Sequence, residues 1–428
     1  MLNKLKLILN NGKIMRRVLI TVLIIFVFKI VTYIPIPLLE TSTIDNAMKN
    51  GGFLTFLNSF SGNALGNYSI AALGISPYIT ASIVIQMLQM DIVPAFKRWG
   101  EEGESGRAKL NQWTRYVTII LAFIQALMIL FGLSSNAENI VKYGIGIPKV
   151  VAILFMAIMI TAGSAFVMWL ADLITRFGIG NGSSIIIVAG IVTSLPSAAS
   201  ALWQQKVTEA TGTYDYVVFG IIVFLYVAIL VGVVYMEKAI RKIPTQYANR
   251  QGKTDSHIPV KLNTAGVMPV IFASTLMSIP ATIMGFANVD KESTAGFWLD
   301  QIFTYTNPLG FAIYIFLIFI FSFFYTFLTV KPDDIADDLQ KSNAFIPGIK
   351  PGEETQNFIS RVLFKVTVLG ATYLAILAAI PIIATIVFKL PQNVTIGGTG
   401  LLIIVGVAIE TAKQLETEAS EKAYKGFM

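Results

Sequence analysis

Few side chains in this chain of 428 residues are suited to catalysis. It contains no cysteine, which excludes disulfides, thiolate metal sites and thiol nucleophiles. The single histidine, His257, lies in a polar stretch, so a three-histidine metal site cannot form within one chain. A serine in an apolar helix would also lack the histidine that normally activates it.

Two glycine motifs match phosphate-binding loops only in part. The Gly-Lys-Thr sequence at 252–254 resembles the end of a P-loop, but Tyr247 stands where the first glycine belongs. Gly178 and Gly180 lack the third glycine of a dinucleotide-binding loop, because that position is Ser183. We therefore predict no catalytic residue, no cofactor and no metal, and we expect that the chain is not an enzyme.

The acidic residues are also placed unfavourably for proton-coupled transport. All 25 lie in loops or near helix ends, and the deepest are Asp172 and Glu410. Proton-coupled transporters usually hold a carboxylate near the middle of the membrane. The polar residues inside the apolar stretches are mainly Ser, Thr, Asn and Gln, such as Gln86 and Asn263, which often only hydrogen-bond neighbouring helices.

The elements that carry these residues are predicted to be membrane-spanning helices. The chain is 55% hydrophobic and 13% charged, whereas soluble domains carry about 25% charged residues. A spanning helix needs roughly 20 mostly apolar residues. Ten stretches qualify: 16–36, 70–92, 115–134, 149–173, 183–203, 216–237, 263–285, 308–330, 361–387 and 397–412.

The basic residues predict the orientation of these spans. Of the 32 Lys and Arg residues, 25 lie at the termini or in loops after even-numbered spans, and 6 lie on the opposite side. Lys29 remains, inside the first span. The positive-inside rule therefore predicts both termini in the cytoplasm. Two long cytoplasmic loops, 238–262 and 331–360, are candidates for docking a partner.

The segment 53–67, FLTFLNSFSGNALGN before the second span, does not fit a plain helix. It is half apolar, but it is too short and too interrupted by Asn, Ser and Gly to span a bilayer. Irregular backbone at membrane depth is tolerated only inside protein or beside a wet cavity. One interpretation is a loop on the external surface, and the other is a short half-helix folded back into a central pore as a movable stopper.

The seventh span is also irregular, and it indicates an internal repeat. It contains Gly266, Pro269 and Pro280, and prolines inside a helix are expected to kink it. Gly266 and Pro269 have the same spacing as Gly74 and Pro77 in the second span. Matching breaks in two halves are typical of inverted repeats. The expected halves are residues 1–203 and 204–428, with five spans each.

Seven segments in chain order carry a family resemblance: 60–88, 101–116, 175–191, 241–251, 262–274, 346–352 and 397–411. They include TRFGIGNGSSIIIVAGI (175–191) and LNTAGVMPVIFAS (262–274). Together they resemble the SecY family of translocon channels nearly end to end. The resemblance implies an all-α integral membrane protein whose ten transmembrane helices form two pseudo-symmetric inverted halves, with a plug half-helix in a central hourglass pore.

The resemblance also implies the residues of the pore. In this family a ring of aliphatic side chains closes the pore at mid-membrane, and by motif position the ring is Ile75, Ile79, Ile187, Ile271 and Ile403. The plug would seat on this ring and comprise Phe56, Leu57, Asn58, Ser59, Phe60, Ser61, Gly62, Asn63 and Ala64. Helices two and three would separate from seven and eight to open a lateral gate, where we expect Gln86 and Asn263.

The partners follow from the same resemblance. The docking residues for a SecA motor ATPase or the ribosome would be Arg241, Lys242, Arg250 and Lys350. Family members usually carry Arg where this chain has Lys350, so the charge remains but the rigid fork of donors does not. Further expected partners are small SecE-like and SecG-like membrane subunits, an unfolded preprotein with its signal sequence, and anionic phospholipid. Nucleic acid would be met only through ribosome docking.

The resulting prediction is a protein-conducting channel in a bacterial cytoplasmic membrane. It would translocate unfolded polypeptides and release apolar segments of about 20 residues into lipid. The ATP chemistry would belong to the motor, in agreement with the missing phosphate loop. The alternatives are a secondary transporter of a small solute, which ten helices with broken segments also predict, and a membrane scaffold without a pore.

Overall fold

The computed structural model describes residues 12–39, 58, 60–89, 93–136, 148–209, 212–247, 256–286, 294–304, 307–388, 390 and 392–425. The described helices and strands are α1 (Gly12–Val31), α2 (Ser76–Leu88), α3 (Pro94–Glu101), α4 (Glu104–Asn136), α5 (Lys149–Phe177), α6 (Gly182–Trp203), α7 (Thr213–Lys238), β1 (Ile240–Tyr247), β2 (Ser256–Lys261), α8 (Met268–Phe286), α9 (Thr294–Phe303), α10 (Pro308–Thr329), α11 (Pro332–Lys341), β3 (Ala344–Phe345), α12 (Glu353–Phe388) and α13 (Gln392–Lys425). Ten of these helices overlap the ten predicted spans, while α3, α9 and α11 connect them.

The chain is a mostly helical membrane protein. Six described helices, α4, α5, α6, α7, α10 and α12, are long and apolar enough to cross a bilayer. Large apolar side chains remain exposed on the outer helix faces, including Phe26 in α1 and Phe224 in α7. So much exposed apolar surface suits contact with lipid rather than water.

Helices α2 and α8 begin in the same way. Gly74 has a φ of +55° and Gly266 a φ of +63°, a left-handed conformation that glycine adopts without steric penalty. Pro77 and Pro269 follow within the first turn, where a proline leaves no helical hydrogen bond unmade. The expected kink at Pro269 is therefore wrong, and both helices start later than predicted because the left-handed glycine ends the preceding turn.

Two lines of helix contact join the first five spans to the last five. At the first, called the front seam, α8 packs against α2 and α4. At the second, called the rear seam, α13 packs against α6. The largest buried cluster of apolar side chains contains residues from both seams, so it connects the two groups of helices.

The two long loops that were predicted to be cytoplasmic form a small antiparallel sheet, so the prediction of an all-α chain is wrong here. Its strand order is β2-β1-β3. On β1 the side chains of Ile243 and Thr245 are buried while their neighbours are exposed. Ile243 packs with Ile359 and Val362 of α12. This alternation of buried and exposed positions is typical of a strand with one buried face, because successive side chains of a strand point to opposite faces.

Candidate functional site

The five isoleucines singled out from the sequence lie together. Ile75 and Ile79 are at the start of α2, Ile187 is on α6, Ile271 on α8 and Ile403 on α13. All belong to the largest buried cluster, and none is more than 7% exposed. We call these residues the isoleucine cluster. It draws two helices from residues 1–203 and two from residues 204–428.

The described part of segment 53–67 contributes to the large buried apolar cluster that also contains the five isoleucines. We call residues 60–67 the inserted segment. Phe60 and Ala64 are buried members of the same apolar cluster, and Ser61 is 0% exposed. The interpretation as a surface loop is therefore wrong for these residues. Asn58 and Phe60 are helical and residues 61–67 form turns, so the half-helix, most of which lies outside the described residues, stays a prediction. Phe56, Leu57 and Ser59 lie outside the described residues.

A buried asparagine organises these turns. The side-chain amide of Asn58 donates to Asn63 Oδ1 at 2.7 Å, while Asn58 Oδ1 accepts from the Gly66 backbone N–H at 2.8 Å. Asn63 itself has a left-handed φ of +69°, a conformation that asparagine tolerates better than most residues. The asparagine pair thus satisfies backbone and side-chain groups that the turns would otherwise leave unpaired.

The inserted segment makes unusually close backbone contacts with its surroundings. A Cβ atom placed on Gly190 of α6 would lie 2.5 Å from the Phe60 carbonyl oxygen. A Cβ atom placed on Gly74 would lie 2.9 Å from Ser61 Cα. Both distances are shorter than real Cβ contacts, so glycine is needed at both positions for the segment to seat here.

The end of α1 also holds this region. Ser69 Oγ donates to the Val31 carbonyl at 2.6 Å, and the Ile36 N–H donates to the Tyr68 carbonyl at 2.6 Å. Closer to the isoleucine cluster, Lys29 Nζ donates to the Gly62 carbonyl at 3.1 Å. The start of the bundle therefore fixes both the base and the middle of the inserted segment.

The two predicted gate residues make separate contacts. Gln86 Nε2 donates to Ser82 Oγ at 3.1 Å within α2, and its Oε1 is buried with no partner among the described residues. Asn263, before α8, donates from Nδ2 to Glu237 Oε1 of α7 at 2.6 Å. Their shared role at a gate stays a prediction.

The predicted docking residues are exposed. Arg241 and Lys242 lie on β1, and the side chain of Lys350 is 84% exposed, with Glu354 3.9 Å away. Because β1 pairs with β3, the sheet joins the two loops that carry these side chains. Arg250 and the Gly-Lys-Thr motif at 252–254 lie outside the described residues.

The described residues show little chemistry apart from binding. They include no group of three or more His, Asp or Glu side chains that could hold a metal. His257 lies on strand β2. Asp172, one of the deepest carboxylates, pairs with Arg115 at 2.6 Å between α5 and α4. That ion pair gives Asp172 a structural partner on the neighbouring helix.

Sequence reasoning missed Lys29, Gly190 and Glu237 as contributors to this region. A lone charge inside an apolar span points to a functional position by default, so Lys29 could have been singled out. Nothing marks Gly190, because glycine is frequent in membrane helices and its contact with Phe60 is distant in sequence. Glu237 could not be matched with Asn263, because their pairing depends on how α7 and the start of α8 pack.

Similarity to known proteins agrees with this architecture. A family model described as SecY matches residues 69–412. The chain is 44% identical over 429 residues to the protein translocase subunit SecY of Halalkalibacterium halodurans, covering 98% of both chains. It is 43% identical over 429 residues to the corresponding subunit of Staphylococcus carnosus, covering 98% of this chain and 97% of that protein.

Solved structures share the fold at lower identity. A structure of a protein-conducting channel matches with a TM-score of 0.68 at 18% identity, covering 95% of this chain and 92% of that chain. Sec61 in the canine ribosome–channel complex matches with a TM-score of 0.64 at 18% identity, with the same coverage. The fold is thus that of these channels, and the identity to bacterial relatives over nearly the full length settles the family: the chain belongs to the SecY family.

Proposed function

We propose that this chain is the channel subunit of a protein translocase in a bacterial cell membrane, with both termini in the cytoplasm. It passes unfolded polypeptides across the bilayer and releases apolar segments sideways into lipid. The bacterial relatives are protein translocase subunits, which supports this role. The excess of basic residues on one side of the spans supports the orientation.

The observation that carries the proposal is the isoleucine cluster with the inserted segment seated against it. In our proposal the five isoleucines form the pore constriction and the inserted segment, with Asn58, is its plug. A narrow apolar constriction sheds water and so blocks ions. Aliphatic side chains can also move around a passing chain of any sequence without holding it by hydrogen bonds. The plug moves aside when a polypeptide enters.

The front seam is the proposed lateral gate. Here α8 meets α2 and α4, and α2 carries Gln86. When the halves 1–203 and 204–428 separate along the front seam, a polypeptide in the pore is exposed to lipid. An apolar segment of about 20 residues then gains free energy by leaving, whereas a polar one passes through.

The cytoplasmic sheet is the proposed docking surface. Arg241, Lys242 and Lys350 present positive charge on two loops that the sheet joins. Relatives of this fold are seen in ribosome–channel complexes, including the canine Sec61 complex. We propose that a SecA-like motor or the ribosome binds here, and that small SecE-like and SecG-like subunits and anionic phospholipid surround the helices.

Ion conductance of the reconstituted chain tests the pore. We expect Ile79→Ser, Ile187→Ser and Ile271→Ser each to give a resting salt conductance in planar bilayers that the parent lacks, because a hydroxyl favours water in the constriction. Ile153→Ser is the matched control, since Ile153 is 1% exposed but lies in a different apolar cluster. Sealed membranes with all three cluster variants would contradict the channel and favour a scaffold or a solute transporter.

A further inference from the structure

Lys29 is a cation in the apolar part of α1 that follows Arg17, and its charged end reaches the inserted segment. It lies in the last turn of α1, and its ammonium group donates to the Gly62 carbonyl at 3.1 Å. The same nitrogen lies 4.9 Å from the centre of the Tyr33 ring. A carbonyl oxygen and an aromatic face both stabilise a cation that has lost part of its water.

A lysine near a helix end could serve only to complement the helix dipole or to reach the membrane surface. Neither role requires contact with the inserted segment. Lys29 instead reaches a residue 33 positions further along the chain, at the point where Gly62 passes Gly190 of α6. An intramembrane charge is expensive enough that such a specific partner points to function.

The contacts between α1 and this region are of two kinds. At the base, Ser69 and Tyr68 are held by hydrogen bonds to Val31 and Ile36. In the middle of the inserted segment, the flexible side chain of Lys29 donates to the Gly62 carbonyl. The hydrogen bonds of Ser69 and Tyr68 can persist while Gly62 moves, because Lys29 can exchange the Gly62 carbonyl for another acceptor. The apolar packing of Phe60 and its close approach to Gly190 must be given up in the same movement.

We infer that Lys29 is a latch that holds the inserted segment in its closed position. The inference rests on the proposed function, since it assigns a holding group to the proposed plug. In the closed state the ammonium–carbonyl bond lies in a medium of low polarity and is strong. When a polypeptide and water enter the pore, water replaces the carbonyl, so the bond opens at little free-energy cost.

Thiol labelling measures the latch directly, because the chain has no native cysteine. We would introduce Ser61→Cys as a reporter, since Ser61 is 0% exposed and becomes accessible only if the segment moves. In membrane vesicles, Lys29→Met should increase the labelling rate of this cysteine by a membrane-impermeant maleimide from the external side by about tenfold. That is the effect of losing about 1.4 kcal/mol of a charged hydrogen bond. Lys29→Arg, which keeps a cationic donor, should stay within about twofold of the parent.

Two controls separate the latch from general loosening. Ser164→Cys reports on a residue buried between helices, 1% exposed and bonded to the Gly74 carbonyl, and its labelling should not respond to Lys29→Met. Lys13→Met removes a charge from the exposed cytoplasmic end of the same helix and should not change Ser61→Cys labelling. Equal acceleration at both reporters, or none at Ser61→Cys, would overturn the latch. The proposed channel function would be contradicted only if membranes containing the isoleucine variants showed no resting ion conductance.

Discussion

The backbone of α6 at Gly190 lies so close to the backbone of the inserted segment that no side chain would fit between them. We expect the closed position of the inserted segment to depend on this close approach. We predict that Gly190→Ala displaces the inserted segment, because its Cβ would sit 2.5 Å from the rigid Phe60 carbonyl. Overpacking of this kind costs about 1–3 kcal/mol. The expected result is a resting salt conductance in planar bilayers, together with faster maleimide labelling of Ser61→Cys.

Gly220→Ala is the matched control for this prediction. Gly220 lies on α7, and a Cβ atom added there meets nothing within 4 Å. The same chemical change should therefore leave both conductance and labelling at the parent level. If Gly190→Ala and Gly220→Ala were equally sealed, the inserted segment would not be seated by its contact with α6.

At the residue scale, a motif could single out positions from the sequence, whereas the contacts that each side chain makes could not be predicted. The resemblance singled out five isoleucines that the structure brings into one cluster, although isoleucine in an apolar helix is normally unremarkable. It also assigned Gln86 and Asn263 to a lateral gate, which stays a prediction, but it did not indicate their hydrogen-bond partners, Ser82 and Glu237. Polar side chains in membranes bond to whichever neighbour packing supplies, and packing cannot be deduced from one sequence.

Among the elements, the cytoplasmic sheet and the start of α12 form a separate small core. Ile243 of β1 is 3% exposed and packs with residues of α12. Ile243→Ala should destabilise this unit by about 2–5 kcal/mol, because a cavity replaces a buried side chain. We expect faster proteolysis of the loops and weaker motor-driven translocation in vesicles, while the resting membrane stays sealed to ions.

Ile240→Ala tests whether the effects expected of Ile243→Ala arise from the loss of a buried side chain. Ile240 lies on the same strand but is 44% exposed, so its truncation removes little packing. Proteolysis and translocation should match the parent. An ion leak in Ile243→Ala would show instead that the cytoplasmic sheet helps to close the pore, against the division of roles proposed above.

The helices were predictable, while their ends and the strands were less so. Ten described helices overlap the ten predicted spans, and six of them are long and apolar enough to cross a bilayer, because a bilayer demands about 20 apolar residues whatever the tertiary contacts. Helix α12 begins at Glu353, eight residues before its predicted span, because a helix can continue into water once acidic residues favour its first turn. The strands were missed because Pro244 and the charged residues of β1 are typical of a loop. Only the packing of Ile243 against α12, which the sequence does not reveal, favours a strand there.

For the whole molecule, two seams between the halves imply that one opens while the other acts as a hinge. The front seam joins α8 to α2 and α4, and the rear seam joins α13 to α6. At the rear seam, a Cβ atom placed on Gly400 would lie 3.7 Å from Ile191 Cβ. Disulfides form at Cβ separations of roughly 3.5–4.5 Å, so a cysteine pair can lock this seam.

We predict that oxidising the pair Ile191→Cys with Gly400→Cys leaves polypeptide translocation near the parent rate, because opening at the front seam needs only a small rotation at the rear. Translocation into vesicles, compared before and after reduction, measures this. The control pair Val267→Cys with Gly406→Cys also has a Cβ separation of 3.7 Å, but it joins two parts of residues 204–428. Both oxidised pairs should remain active. If the disulfide between Ile191 and Gly400 blocked translocation while the control pair did not, the rear seam would be the moving edge, and the assignment of the lateral gate to α2, α4 and α8 would have to be abandoned.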